Sequence, residues 1–308
     1  MSVSRLMLYG LLRGLLHGSL FGLVAQACEA SPAPFCGQSP PLSAAQHDRL
    51  MRFGEVVKTE LERSGASLAL IARTGVDLAR FGVRYSHAGI SLKESQNTRW
   101  SVRQLYYGCD ERRPGLYDQG LAGFLMGSEA PPVGFVSVLL LPAAEAAQVE
   151  RAALENPQAL RLLGTTYSAN AYPFDVRYQN CNQWLVELLA VAWGGLDGPE
   201  APRAQAQAWL QRQAYEPTVF DVGSPALMWL GSFIAGLHSD DHPQEDLAQY
   251  RYRVSMPASI EAFVRRTVPG AVRVEFCHKG DRVVIRRGWE SIADSCEPGE
   301  SDTVVGLN

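Results

Sequence analysis

Apolar residues fall at helical spacing over Trp184, Leu185, Leu188, Leu189 and Ala192, which predicts a buried helix stopped by Gly194-Gly195. Far upstream, Leu50, Phe53, Val57 and Leu61 share one face of another helix. Ser43-Ala44-Ala45-Gln46 opens it as a capping box and Ser64-Gly65 ends it. Between the two, the pattern changes to short apolar runs of strand length at 67–72, 85–92 and 100–106, and the run 133–141 is the most strand-like in the chain. The intervening stretch 108–132 is rich in Gly, Pro and charge, with a short helix expected around Leu121–Leu125, and has the length of a lid or specificity loop. Pro142 starts a helix through Leu154, Asn156-Pro157 breaks it, and a short helix over 158–163 follows. Downstream, 201–213 and 225–237 read as helices, the second apolar but too short to span a bilayer. The last elements are a helix over 257–266 and a hairpin of 271–277 with 282–286.

The N-terminus departs from this pattern. Arg5 precedes a run from Leu6 to Ala27 with no acidic residue, ending in Ala25-Gln26-Ala27, which reads as a secretory signal peptide (1–27) cut before Cys28. Arg13 and His17 interrupt the run and argue against a permanent anchor. A lipoprotein at Cys28 is the alternative, disfavoured because Ala25 stands where a larger aliphatic residue is usual. A periplasmic or secreted chain is therefore expected, with no transmembrane segment after cleavage. The formal net charge of −4, without any Lys/Arg cluster, excludes nucleic acid as an expected partner. Six cysteines in an oxidising compartment allow local bridges Cys28–Cys36 and Cys277–Cys296, leaving Cys109 and Cys181. Spacing alone leaves a 109–181 bridge open.

Cys181 carries the candidate chemistry. Asn180 and Asn182 are helix-capping types, so Cys181 is expected in the first turn, where unpaired N–H groups and the helix dipole lower a thiol pKa toward neutrality. His87, in the predicted strand Ser86-His87-Ala88-Gly89-Ile90, is the candidate base, and the small Ala88 and Gly89 leave room for a close approach. His238-Ser239-Asp240-Asp241-His242-Pro243 is the other cluster with ligand chemistry. Its spacing fits neither a helical zinc pair nor a calcium loop, so it reads as a solvated loop capping the helix before it, and neither metal nor cofactor is assigned.

Ser86-His87-Ala88-Gly89-Ile90 followed by Asn180-Cys181-Asn182-Gln183-Trp184 resembles the circularly permuted, NlpC-type branch of the papain-like superfamily, in which the histidine precedes the cysteine. More closely, the chain resembles a secreted bacterial family, domain of unknown function 2145. That resemblance runs from about Ser43 to Cys296 and includes Tyr178–Trp184 and Asp240-Asp241-His242-Pro243. It implies a papain-like α+β fold, an antiparallel sheet packed on the cysteine helix, with additional helices and a C-terminal hairpin. The implied layout is a Pro-rich lead (28–42), a core (43–198) and an extension packed on the core (199–308). It also implies Cys181 as nucleophile, His87 as base and Gln104 as the orienting group, a weaker orienter than a carboxylate. The Cys181 N–H would serve the oxyanion with the Gln179, Asn180 or Asn182 side chain, and Trp184 would line the cleft with Tyr85, Tyr172 and Tyr178 unless these are ordinary core aromatics. The expected activity is that of a thiol hydrolase or acyltransferase on a cell-envelope peptide, peptidoglycan or lipid substrate, working as a monomer. The alternatives are a non-catalytic envelope binding or assembly protein on the same scaffold, and a redox thiol with Cys109 as resolving partner.

Overall fold

In the computed structural model, residues 42–126, 133–196, 198 and 200–307 are described. The signal sequence, Cys28, Cys36, most of the Pro-rich lead and the end of the expected lid lie outside them. Helix α1 (Ala44–Arg63) begins at the predicted capping box: Ser43 Oγ accepts from Gln46 N–H at 3.3 Å, and Gln46 Oε1 accepts from Ser43 N–H at 2.8 Å. The chain then builds β1 (Leu68–Arg73), β2 (His87–Leu92), β3 (Ser101–Gly108), β4 (Arg113–Gln119), α2 (Leu121–Met126), β5 (Val133–Leu140), α3 (Ala143–Leu154) and α4 (Asn156–Arg161). Helices α5 (Cys181–Gly194) and α6 (Pro202–Arg212) follow. The remainder is β6 (Thr218–Asp221), α7 (Pro225–Gly231), α8 (Gln244–Ala248), β7 (Arg251–Val254), α9 (Pro257–Thr267), β8 (Val272–Lys279), β9 (Arg282–Arg287) and β10 (Thr303–Gly306).

Eight strands form one antiparallel sheet in the order β10-β9-β8-β5-β1-β2-β3-β4, and β6 pairs with β7 separately. The C-terminal hairpin of β8 and β9 continues the sheet through β5 rather than standing beside it. Period-two alternation sorts the side chains into two cores. Leu68, Leu70 and Ala72 of β1 and Ala88, Ile90 and Leu92 of β2 face α3, α5 and α9, whereas Ala69 and Ile71 face Phe53, Val57 and Leu61 of α1 and Phe124 of α2. Helix α5 carries the first core. Trp184, Leu188 and Leu189 are wholly buried there, and each such side chain contributes about 1.5–3 kcal/mol.

Several elements differ from expectation. The sequence pattern misses β4 because Arg113-Pro114-Gly115 reads as loop. As the last strand of the sheet it tolerates a missing donor and a half-exposed face. The apolar stretch expected to be helical to Leu237 is helical only to Gly231, and Trp229 and Phe233 are exposed beyond half of their surface. Asn156-Pro157 does break α3 and at the same time starts α4, with proline in its first turn. Among the described residues no helix is long and apolar enough to cross a membrane. Cys277 and Cys296 are joined, Cys181 is free, and Cys109 is disulfide-bonded. That removes the 109–181 bridge and leaves the redox reading without its resolving thiol.

Candidate functional site

Helix α5 starts at Cys181 because Asn180 caps it: its Oδ1 accepts from Gln183 N–H at 2.7 Å, and its Nδ2 donates to Ala169 O at 3.2 Å. The strand-like segment before it is pinned by Gln179 N–H to Thr166 O (3.0 Å) and Ser168 N–H to Gln179 O (3.2 Å). The cap takes the Gln183 N–H and leaves the earlier N–H groups of the turn free to serve the thiol. Those of Asn182 and Cys181, together with Ala88 on β2, stabilise negative charge on the sulfur. The net result still reverses expectation. Cys181 is only 6 % exposed, and burial pushes its thiol up to about 11 against the N–H groups and the charge of Arg73. Desolvation outweighs the helix terminus.

His87 opens β2, with Arg73 as its register partner on β1. Its ring packs against Tyr106 and Phe124, with centroids 5.9 and 5.8 Å away. Its Nε2 meets Gln104 Oε1, and that amide is oriented by its own NH2, which donates to Gln119 Oε1 at 2.8 Å. An amide oxygen accepts only, so Nε2 carries the proton and Nδ1 keeps the lone pair. Burial and then the Arg73 charge lower the imidazole to about 3, opposed by Gln104. His87 is thus a neutral imidazole at neutral pH.

Strand alternation sends Ala88 toward Cys181 and His87 toward Phe124. No hydrogen bond joins His87 to Cys181 among the described residues. The sheet is open between the two, because β2 and β3 are paired only from Ile90–Arg103 to Leu92–Ser101. Gly89 marks where the ladder starts. A Cβ there would stand 2.8 Å from Arg103 O and 2.7 Å from Val102 Cγ1, so glycine admits the neighbouring backbone and not a substrate.

The remaining expected residues are engaged elsewhere. Gln179 is fully buried: its Nε2 donates to Leu162 O (2.9 Å) and Glu187 Oε2 (2.6 Å), and its Oε1 accepts from Gly164 N–H (2.7 Å). Asn182 Nδ2 donates to Ser86 O at 3.1 Å, tying the cysteine turn to the residue before His87, while its buried Oδ1 has no partner. Trp184 is a core residue with Nε1 on Ala159 O at 3.2 Å. Tyr85 bonds the buried Glu275, and Tyr178 stacks on His238 with centroids 4.1 Å apart. The 238–243 segment is not the solvated loop expected. Asp241 and His242 are buried, Asp241 Oδ2 accepts from Tyr172 N–H (2.7 Å), and His242 Nε2 meets Asn170 O (2.7 Å), so the segment straps the loop before Cys181.

Two arrangements escaped the sequence pattern. Glu187, one helical turn beyond Gln183 in α5, accepts from Gln179, Gln183, Arg203 and Gln207, and Arg203 extends to Val176 O (2.6 Å) and Tyr178 O (2.8 Å). A charge in the apolar run of α5 was its only sequence signal. Arg73 ends an apolar strand, where it reads as solvent-facing, yet it is 5 % exposed and stacks over Phe124 at 5.2 Å. A cleft of about 380 Å³ lined by Gln148, Arg151, Glu155 and Trp193 lies at the other end of α5 and holds none of these residues.

The chain belongs to a bacterial family described as uncharacterized protein conserved in bacteria, domain of unknown function 2145, whose model matches residues 60–264. No curated protein and no solved structure matches it.

Proposed function

We propose that this member of the family is an exported thiol hydrolase or acyltransferase built on a permuted papain-like arrangement, with Cys181 as nucleophile. The observation that carries the reading is a free thiol in the first turn of a capped helix, where the backbone N–H groups of Asn182, Cys181 and Ala88 favour its charged form. The order of a histidine strand before a cysteine helix, within one antiparallel sheet packed on that helix, supports the permuted form. Disulfides at Cys277–Cys296 and Cys109 suit an oxidising compartment.

In this mechanism the thiol gives its proton to His87 as sulfur attacks an amide or ester carbonyl of an envelope peptide, peptidoglycan or lipid. The N–H groups receive the oxyanion, the leaving group departs with a proton from the imidazolium, and water or another acceptor resolves the acyl-enzyme. Gln104 fixes the His87 tautomer and ring without adding charge. Gln179 and Asn180 hold the turn in place and do not act as oxyanion donors.

The non-catalytic envelope scaffold is favoured by a separate observation: the thiol is buried and both partners rest neutral. Purified protein incubated with panels of peptidoglycan fragments and lipid esters, followed by mass spectrometry of the Cys181 peptide, separates the two. Acylation lost in Cys181→Ala and at least tenfold slower in His87→Ala supports the enzyme. Full complementation of a deletion strain by both variants overturns it.

A further inference from the structure

Among the described residues, Arg73 is the buried cation that lacks a carboxylate. The other deeply buried arginines have one: Arg203 pairs with Glu187 at 2.9 Å and Arg273 with Glu275 at 3.0 Å. Arg73 donates from Nη1 to Thr74 O at 3.1 Å and stacks on Phe124, and its Nε is buried with no hydrogen-bond partner. Burial lowers it to about 10, opposed by Tyr106 and Cys181. An uncompensated buried charge is expensive, so the fold holds it against an anion that is absent at rest.

The surroundings identify that anion. Arg73 stands across from His87, and the next pair in the same ladder is Ala72 with Ala88, whose N–H serves the Cys181 sulfur. Gly75 keeps the guanidinium in place, since a Cβ there would sit 3.0 Å from Nη1. The titratable groups around Arg73 and the sulfur are His87 on β2, Tyr106 on β3 and Tyr167 before α5, and burial raises the Tyr167 phenol well above its ordinary value. No acidic side chain neutralises Arg73 among the described residues.

We propose that Arg73 is the positioning residue that supplies a counter-charge for Cys181: its guanidinium stabilises the thiolate formed when the thiol proton passes to His87, and it is the cation in place before the imidazolium forms. This rests on Cys181 being the functional thiol, but it concerns ionisation and not turnover, so the two can fail separately. The same cation, across the ladder from His87, adds to burial in keeping that imidazole neutral at rest.

The test follows the Cβ chemical shift of Cys181 against pH in protein labelled with [13Cβ]cysteine, a readout that needs no reagent to reach the buried sulfur. Arg73→Gln is expected to lower the acid dissociation constant of Cys181 about tenfold, and Arg73→Lys to stay within about threefold of wild type. An unchanged titration in Arg73→Gln overturns the proposal, even if its melting temperature falls, because a merely structural arginine would act that way. If Arg73→Gln does not fold, wild-type protein decides through the ratio of its alkylation rates with iodoacetate and iodoacetamide. A ratio above that of N-acetylcysteine amide shows the local positive charge, and one at or below it overturns the proposal. Turnover lost in Cys181→Ala with no Arg73 effect leaves the hydrolase reading intact and removes only this one.

Discussion

Replacing Glu187 by alanine tests whether the network under the cysteine turn holds the fold. Its carboxylate is fully buried and accepts from Arg203 Nε (2.9 Å), Gln179 (2.6 Å), Gln207 (2.8 Å) and Gln183 (3.2 Å). Glu187→Ala leaves the Arg203 guanidinium buried and unpaired, which costs about 3–5 kcal/mol. The three glutamine amides lose an acceptor as well, but each keeps a second partner, in Leu162 O, Asp175 O and Tyr172 O, so they add about 1–2 kcal/mol in all. The total of about 4–7 kcal/mol is a large part of the roughly 5–15 kcal/mol that stabilises a domain. Urea unfolding followed by circular dichroism measures it. The double variant Glu187→Met/Arg203→Met removes both charges and is expected to be more stable than Glu187→Ala by about 2 kcal/mol or more. A loss below about 1.5 kcal/mol in Glu187→Ala would refute the reasoning, because it would mean water replaces the carboxylate and the site is not dry.

Gln104→Glu places a carboxylate on His87 Nε2 and is expected to raise the imidazole by about 1–3 pH units from its position near 3, read by NMR titration of the ring protons. Gly89→Ala drives a methyl group against Arg103 O and Val102 Cγ1 and is expected to cost about 1–3 kcal/mol in urea unfolding. Acid sensitivity follows from His87: the unfolded chain takes up a proton near 6.5 that the folded chain refuses until about 3, so stability present above 6.5 is lost as pH falls through that window. The loss from pH 6.5 to 4.5 is expected to be shallower in His87→Gln by about 1–3 kcal/mol in urea unfolding at the two pH values.

The sequence pattern finds the elements that bury one clear face and misses those whose character depends on neighbours. Helix α5 and its start at Cys181 are visible because Asn180 is a capping side chain beside an unbroken apolar run, and α1 because its capping box precedes a regular stripe. Strand β4 is invisible because an edge position tolerates Pro114 and Gly115. At the site, the contact between His87 and Gln104 joins consecutive strands just beyond the end of their paired register. The thiol pKa is another matter. A helix start is written locally, but the desolvation that overrides it comes from β1, β2 and the loop before α5, which the local pattern cannot combine. Arg73, Glu187 and the buried strap at Asp241-His242 fail for the same reason, since a charged residue shows its burial only once its distant partners are in place.

The cost of Arg73 gives one more way to weigh enzyme against scaffold. Side-chain polar atoms close to Cys181 are spent on the fold: those of Gln179, Asn180 and Gln104 all have partners. Beside one acceptor, Asn182 Oδ1, what stays uncommitted is a set of donors, namely the backbone N–H groups at the sulfur and the Arg73 Nε. A neutral resting site gives these donors nothing to stabilise, whereas a thiolate or an oxyanion uses them all. A scaffold with no chemistry gains by losing the cation. Arg73→Met removes an unpaired buried charge, whose replacement by an apolar side chain of similar volume is neutral or stabilising by about 1–4 kcal/mol. It also gives up the stacking on Phe124 and the bond to Thr74 O, worth about 1 kcal/mol each. The net expectation is a variant within about 2 kcal/mol of wild type in either direction in urea unfolding at pH 7, with thiolate formation at Cys181 impaired. A loss of more than about 2 kcal/mol would make Arg73 a structural residue, and the case for chemistry at Cys181 would then rest on the backbone donors alone.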